Sequence, residues 1–254
     1  MTKIKLGISG ISGKMGLNVL SIAKSMPEEF DIVAGFHSSK EDIQGITCYN
    51  TAEEFLSNVD LVIDFSSRDT LITLLKAIKT PVKFVSGTTG ITSADLIDLH
   101  AYSKKNALFW APNFSIGVAL FKNLLNQILP MVSPYDYDIE LLERHHKFKK
   151  DAPSGTAFSL LQQIADFKNK PLEEIIHHNT VDNPVRPDGA VGVSFQRGGG
   201  IIGEHEISFI GQFEEFSIKH TAFDRKVFAN GAIAAAKWLW TKQSGYYTIT
   251  DMLK

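Results

Sequence analysis

The amino-acid sequence predicts an α/β protein: a doubly wound parallel sheet, plus a smaller α+β part with an open mixed sheet. Three observations carry that expectation. Over roughly the first 110 residues, short apolar runs alternate with amphipathic helix patterns, as in a parallel sheet flanked by helices. The first of those runs ends in a glycine-spaced turn that opens a helix. After Phe114 the alternation gives way to strand candidates that follow one another without helices between them.

The chain's bulk properties set limits. At 254 residues it suffices for two modest domains or one large one, and with 44% hydrophobic and 21% charged residues it has the composition of a soluble globular protein. A formal net charge of −2 gives no general pull toward nucleic acid or an anionic membrane, so any cationic site is local. The single Cys48 rules out an internal disulfide and fits a reducing compartment, where it reads as a small buried or half-buried side chain. The amino-terminal sequence leads directly into a strand pattern, and no apolar run nears the ~20 residues that span a bilayer. The expectation is a cytoplasmic protein.

In chain order, residues 3–9 read as a strand that runs into Gly10-Ile11-Ser12-Gly13-Lys14-Met15-Gly16. Leu17, Val19, Leu20, Ala23 and Met26 then mark one apolar helix face. Strand, glycine turn and helix start are the context of a dinucleotide-binding turn: glycine lets the backbone close up to a pyrophosphate, and the helix start offers it N–H groups. The spacing is G-x-x-G-x-x-G, with Ser12 where the stricter pattern has its second glycine, so the turn taken alone also fits a purely structural role. Strands are expected over 30–36, 60–65, 81–86 and 107–110, and helices around Phe55 and Leu56, over 71–78 and over 91–105. Ligands of such a Rossmann-like sheet sit at the carboxyl ends of its strands. The turn residues Gly10, Ile11, Ser12, Gly13, Lys14 and Met15 fall there, as do Phe65, Gly87, Thr88, Thr89, Ala111, Pro112, Asn113 and Phe114.

The second strand ends in Phe36-His37-Ser38-Ser39-Lys40, without the Asp or Glu that commonly holds the adenosine ribose of NAD. Hydroxyls, an imidazole and a lysine suit a 2′-phosphate. NADPH is therefore the expected cofactor, with NADH the other, and His37 and Ser38 join the cofactor candidates. A polar loop without a cofactor role is the other reading of this segment.

Beyond Phe114, a helix is expected over 118–129, ending at Pro130, and a strand over 137–143. A second helix is expected over 156–167, with Asp151 as its cap and Pro153 in its first turn. Strand candidates over 191–195, 201–210 and 212–220 suggest a mostly antiparallel sheet with one open face, which a second subunit would cover. His177 and His178 read as part of a polar connection, Gly198-Gly199-Gly200 as a flexible turn, and His205 and His220 as strand residues. An Ala-rich helix over 223–240 is expected to return to the nucleotide half. That gives a dinucleotide-binding domain of residues 1–114 plus 222–254, and a substrate-binding and oligomerisation domain of residues 115–221.

Within the second half lies a dense chemical cluster. His145, His146, Lys147, Lys149 and Lys150 fall within six positions and lead into Asp151-Ala152-Pro153-Ser154-Gly155-Thr156. Cations beside a helix start make an anion site. Lys149 and the backbone of Ser154, Gly155 and Thr156 read as receivers of a carboxylate or phosphate, His145 as an acid, and Lys147 and Lys150 as solvated neighbours. Metal binding would enlist Glu143 or Asp151 as a third ligand, yet no standard metal spacing is present. Ser154 lacks the pattern of a nucleophile elbow. A plain basic loop is the remaining alternative, against which the Pro-Ser-Gly-Thr helix start argues.

The run E-x-H-H-x-x-K-x-D-A-P-S-G-T-A, from Glu143 to Ala157, resembles the signature of bacterial dihydrodipicolinate (4-hydroxy-tetrahydrodipicolinate) reductases. The likeness spans the chain through Lys14-Met15, Asp64-Phe65, residues 87–90, residues 113–117, Gly203-Glu204-His205 and residues 228–232. It implies NAD(P)H-dependent reduction of a cyclic imine dicarboxylate to tetrahydrodipicolinate, in lysine and diaminopimelate biosynthesis. It further implies that His145 and Lys149 provide the proton, that His146, Gly155 and Thr156 contact substrate, and that the strand-end residues named above meet the cofactor. The implied partners are a small dicarboxylate and further copies of the chain in a cytoplasmic homotetramer, with no nucleic acid, membrane or metal. His37 and Ser38 depart from the family, whose members often carry an acidic residue and an arginine there. The basic residue often found after the Asp-Phe strand end is displaced, with Ser67 and Arg68 the candidates. The rival from another class is a non-catalytic sensor of cofactor redox state, which would not need His145 and Lys149 beside an anion site.

Overall fold

The computed structural model describes residues 3–178, 181–182 and 184–254. The chain begins with β1 (Ile4–Ser9), α1 (Lys14–Lys24), β2 (Phe30–Phe36), β3 (Cys48–Tyr49) and α2 (Ala52–Leu56). Next come β4 (Leu61–Asp64), α3 (Arg68–Ala77), β5 (Lys83–Ser86), α4 (Ser93–Ser103) and β6 (Ala107–Trp110). The middle holds α5 (Ile116–Val132), β7 (Asp138–His145), α6 (Gly155–Lys168), α7 (Leu172–Ile175) and β8 (Ile176–His177). It continues with β9 (Val191–Arg197), β10 (Gly203–Ile210) and β11 (Glu215–Ala222), and the chain ends in α8 (Lys226–Trp240), β12 (Gly245–Tyr247) and α9 (Ile249–Met252). Two compact units result, one of Met1–Ile116 with Arg225–Lys254 and one of Gly117–Asp224.

The first unit is built on a seven-stranded sheet in the order β12-β6-β5-β4-β1-β2-β3, with every pairing parallel. Side chains alternate across a strand, so β4 sends Leu61 and Ile63 to one face and Val62 to the other. On the first face they join Leu6, Ile8 and Phe109 beneath Val19 and Leu20 of α1 and Ala229, Ala232, Ala235 and Ala236 of α8. On the second, Val62, Phe84 and Leu108 meet Phe55 of α2, Leu71 and Leu74 of α3 and Leu99 of α4. Each fully buried Leu, Ile or Phe contributes roughly 1.5–3 kcal/mol, so the two layers secure the strand ends that carry the loops.

The second unit carries a five-stranded sheet in the order β11-β10-β7-β9-β8. It is mixed, not mostly antiparallel: β10 pairs antiparallel with β7 and β11, while β9 runs parallel to β7 and to β8. The parallel half follows from the connection, because the chain crosses through α6 before returning beside β7. One face packs Leu141, Val193, Ile207 and Phe209 against Phe121 and Leu125 of α5 and Leu160, Leu161 and Ile164 of α6.

Several boundaries differ from the sequence expectation. Helix α5 runs through Pro130 to Val132. Both Pro130 and Asn126 are exposed, so the carbonyl that loses its N–H donor to proline lies on the solvent side. Helix α6 is capped by Ser154, whose hydroxyl accepts from the Ala157 N–H, and not by Asp151 with Pro153 in the first turn. His177 lies buried in the short edge strand β8 and not in a polar connection. Gly198 donates its N–H to the His145 carbonyl at 2.9 Å, which pins the glycine turn to the end of β7.

Candidate active site

At the carboxyl edge of the first unit's sheet, the glycine turn packs tightly. Gly10 has φ +72°, and a Cβ there would lie 2.8 Å from the carbonyl carbon of Phe65, so a side chain is excluded by both strain and space. Gly13 stands at the N-cap of α1 and supplies no side-chain cap, which leaves the first-turn N–H groups for an outside acceptor. These features fit a pyrophosphate. Ser12, Gly13 and Lys14 are exposed and Met15 is half-buried. Ile11, Ala111 and Phe114 turn their side chains into the core.

The neighbouring loops are held by one carboxylate. Asp64, fully buried at the end of β4, accepts from the Ser66 hydroxyl at 2.5 Å, the Ser66 N–H at 3.2 Å, the Ser86 hydroxyl at 2.8 Å and the Thr88 hydroxyl at 2.7 Å. Thr88 is thus spent on scaffolding, and the Trp110 indole donates to its carbonyl at 3.0 Å. Gly87, Thr89, Pro112 and Asn113 line the same edge, with Thr89 and Pro112 exposed and Phe65 packing edge-on against Phe114.

At the end of β2 the His37 ring closes its own loop. Nδ1 accepts from the Ser39 N–H, so the remaining ring proton is on Nε2, which donates to the Glu41 carbonyl at 3.3 Å. Ser38 is exposed, and Lys40 makes a surface pair with Glu54. Neither candidate for the displaced basic residue is a free donor: Ser67 caps α3, while Arg68 forks onto Asp95 at 2.6 and 2.8 Å. That fork, with the Thr92 bonds, holds the Asp95 carboxyl far below the usual range.

In the second unit, β7 alternation puts Glu143 and His145 on one face, and the parallel register sets Arg197 opposite His145. The fully buried Glu143 accepts from His145 Nδ1 at 2.5 Å, from Arg197 at 2.6 and 2.9 Å and from the Ser154 N–H at 3.1 Å. Burial alone would raise its carboxyl, but Arg197 and His145 outweigh burial and hold it ionised. His145 is 8% exposed; burial pushes its imidazole down, Glu143 opposes this, and Lys149 and Arg197 add to it. Next to it, His205 of β10 shares a hydrogen bond with the Ser154 hydroxyl at 2.9 Å and is pushed down to about 4 by burial first and then by His145.

The anion receiver carries a protein carboxylate. Lys149 Nζ lies 2.9 Å from Asp151, and the Gly155 N–H at the start of α6 also bonds that carboxylate. A cation and a helix-start N–H therefore already converge on one carboxylate. Gly155 is exposed, Thr156 follows it in the first turn of α6, and the buried His146 Nδ1 has no hydrogen-bond partner among the described residues. Lys147 and Lys150 are exposed, and the Lys147 ammonium rests over the Phe148 ring.

Comparison with known proteins decides the family. Residues 4–114 match the family model described as dihydrodipicolinate reductase, N-terminus, and residues 117–253 the one described as dihydrodipicolinate reductase, C-terminus. The chain belongs to the dihydrodipicolinate reductase family. It is 38% identical over 257 residues to the 4-hydroxy-tetrahydrodipicolinate reductase of Clostridium novyi (strain NT), covering 100% of this chain and 99% of that one. To the 4-hydroxy-tetrahydrodipicolinate reductase of Rickettsia bellii (strain OSU 85-389) it is 37% identical over 252 residues, covering 99% and 95%. The solved dipicolinate-bound dihydrodipicolinate reductase from Paenisporosarcina sp. TG-14 superimposes with a TM-score of 0.78 over 100% of both chains; at 22% identity that likeness speaks to fold.

In this dihydrodipicolinate reductase family member, the predicted unit-two residues fall into two linked groups. His145 and Ser154 meet through Glu143, while Lys149 and Gly155 meet through Asp151. Reasoning from sequence missed Asp64 as a loop anchor, Glu143 and Arg197 as partners of His145, and His205 as the partner of Ser154. The E-x-H spacing could have exposed Glu143, since alternate strand residues share a face. Arg197 gives no such signal, for only the β7–β9 register brings it there.

Proposed function

We propose that the protein is an NAD(P)H-dependent 4-hydroxy-tetrahydrodipicolinate reductase of lysine and diaminopimelate biosynthesis. The observation that carries this reading is a buried His145 held by Glu143 in the same unit as Lys149 and Gly155, two donors converging on a carboxylate. An oxidoreductase acting on a small dicarboxylate needs both a proton carrier and carboxylate receivers.

The pyridine nucleotide supplies a hydride when bound. Backbone N–H groups of Ser12, Lys14 and Met15 would receive its pyrophosphate, with Gly10 and Gly13, whose N–H groups bond the Phe36 and Gly10 carbonyls, shaping the turn, while Phe65, Gly87, Thr89, Pro112 and Asn113 bound its position at the strand ends. Ser38 and Lys40 are the donors for a 2′-phosphate, with His37 setting the loop's shape, and NADPH is therefore the preferred cofactor. Lys149, Gly155 and Thr156, with His146, receive the substrate carboxylates, which displace Asp151; Ser154, with its N–H on Glu143 and its hydroxyl on His205 and the Ala157 N–H, holds the helix start in place and is not a receiver. His145 Nε2, assisted by Lys149, would supply the proton that the reduced substrate ring takes up. The product is tetrahydrodipicolinate, and one water leaves when the hydrated form is the substrate.

This reading assigns dinucleotide binding to the first unit, and substrate binding and subunit pairing to the second. The open face of the second sheet would join copies into a cytoplasmic homotetramer. Among the described residues no helix is long and apolar enough to cross a membrane. The test is oxidation of NADPH and of NADH by purified protein, with substrate generated in place by its synthase. Both are expected to be consumed, with the higher kcat/KM for NADPH. A clear NADH preference would overturn the cofactor assignment, and no oxidation of either would overturn the activity.

A further inference from the structure

We infer that Glu143 and Arg197 are a positioning pair for proton transfer: Glu143 fixes the tautomer of His145, and Arg197 sets how strongly that carboxylate holds the imidazolium. The inference rests on the reduction proposed above. Glu143 Oε2 receives His145 Nδ1 and one Arg197 nitrogen, while Oε1 receives the other Arg197 nitrogen and the Ser154 N–H. The contacts at 2.5, 2.9, 2.6 and 3.1 Å fill the acceptor capacity of a carboxylate. An ionised carboxylate forked by a guanidinium has no proton to give, so His145 Nδ1 must be the donor. The proton that moves in the reaction is then on Nε2. A Cβ at position 203 would lie only 3.1 Å from that nitrogen, and glycine there leaves the space open.

The charges facing His145 come from several elements, and they oppose one another. Glu143 on its own strand favours the imidazolium. Arg197 of β9 and Lys149 of the following segment disfavour it, and His205 of β10 presses its ring at 5.2 Å between centroids. Asp151 sits beyond Lys149 and partly offsets its charge. Arg197 also donates to the Asp151 carbonyl at 2.8 Å, so one guanidinium ties the Glu143 carboxylate to the turn before α6. Its side chain is 17% exposed and that of Glu143 0%, so water does little to screen the pair.

Opposed charges give the two partners opposite signatures. In Glu143→Gln the carboxamide oxygen stays with Arg197, and its NH2 turns to His145 Nδ1, which must then accept. The imidazolium loses its counter-charge and the neutral ring moves its proton to Nε2. Expected is a kcat loss of about 10²–10⁴-fold with KM for substrate within about threefold, and a pH–rate limb for His145 shifted to lower pH by about one unit or more. In Arg197→Met the carboxylate loses its competing cation and holds the imidazolium harder, so the same limb shifts to higher pH. Arg197→Lys, which restores a cation, returns the limb toward wild type.

The experiment is the pH dependence of kcat for wild type and these three variants, with NADPH affinity and thermal unfolding as checks on folding. In parallel, 15N chemical shifts of the His145 ring are recorded for wild type and Glu143→Gln. Opposite limb shifts, with an Nδ1–H ring in wild type and an Nε2–H ring in Glu143→Gln, are expected. Limbs that stay put or move the same way, or a neutral wild-type ring that carries its single proton on Nε2, would overturn the pair's role. If wild-type protein does not turn over, the reduction fails, and the ring shifts alone decide the pair. If Arg197→Met does not fold, Arg197→Lys and Glu143→Gln carry the comparison.

Discussion

Each unit places one fully buried carboxylate at a sheet end, and the two carboxylates are satisfied by different chemistry. Asp64 accepts from three hydroxyls and a backbone N–H, all neutral, and ties Ser66, Ser86 and Thr88 together. Glu143 accepts from a guanidinium, an imidazole and a backbone N–H. Neutral donors keep loops in place without moving a proton. Cationic and titrating donors make the partner's protonation depend on the carboxylate. The first arrangement suits a unit that binds and the second a unit that performs proton transfer.

The largest expected effect breaks the second arrangement at its proposed proton carrier. His145→Gln keeps a polar side chain of similar reach but removes the titrating group. kcat should fall by about 10²–10⁴-fold, the usual worth of a placed general acid, with NADPH affinity nearly unchanged. Stopped-flow turnover and NADPH titration by fluorescence read the two quantities separately. Full activity in this variant would remove His145 from the reaction, and the contrast between the two carboxylates with it.

A smaller effect concerns acid. His205 is held neutral, its imidazole pushed from an ordinary 6.5 to about 4 by burial and then by His145, with Glu143 opposing and His220 and Lys149 adding to the fall. The unfolded chain therefore binds a proton there that the folded chain refuses. Its contribution is full above about pH 6.5 and is lost as pH falls toward 4, on the order of 3 kcal/mol in all. Urea unfolding at pH 7 and pH 4.5 should show that loss in wild type and much less of it in His205→Gln. Equal acid sensitivity in the two proteins would show that His205 is already charged when folded.

The same contrast governs what the sequence made legible. Continuous apolar runs and helical spacing located most strands and helices of the first unit, because its strands are apolar on both faces and its helices show one apolar stripe. The two- and three-residue strands β3, β8 and β12 were missed because so few residues display no period. The sign of the β7–β9 pairing depends on where α6 crosses, which no local pattern encodes. In the candidate site, His145, Lys149 and the Ser154–Gly155–Thr156 helix start were readable because chemistry and turn residues lie side by side in sequence. The cap itself was misplaced at Asp151, since Asp and Ser are both good caps and Asp151 turned out to hold Lys149 and the Gly155 N–H. Arg197, His205 and the hydroxyls on Asp64 stayed hidden, because only register or loop folding brings them to their carboxylates.

The smallest effect tests the neutral carboxylate directly. Asp64→Asn keeps the volume but offers one acceptor oxygen and an NH2 where two oxygens had been. At most part of the set formed by Ser66, Ser86 and Thr88 can then stay bonded. Losing one hydrogen bond to a charged group costs about 1.5–3 kcal/mol, and relaxation of the exposed loops recovers some of it. The remainder should appear as a rise of about tenfold in KM for the cofactor, about 1.4 kcal/mol, because the displaced loops are those at the proposed cofactor edge. kcat at saturating cofactor should change little, and the pH–rate limb of His145 should not move, since Asp64 faces no titrating donor. Steady-state kinetics over a pH series measures all three together. A limb shift from Asp64→Asn would mean that the two carboxylates are coupled, and the division between a binding carboxylate and a proton-transfer carboxylate would have to be abandoned.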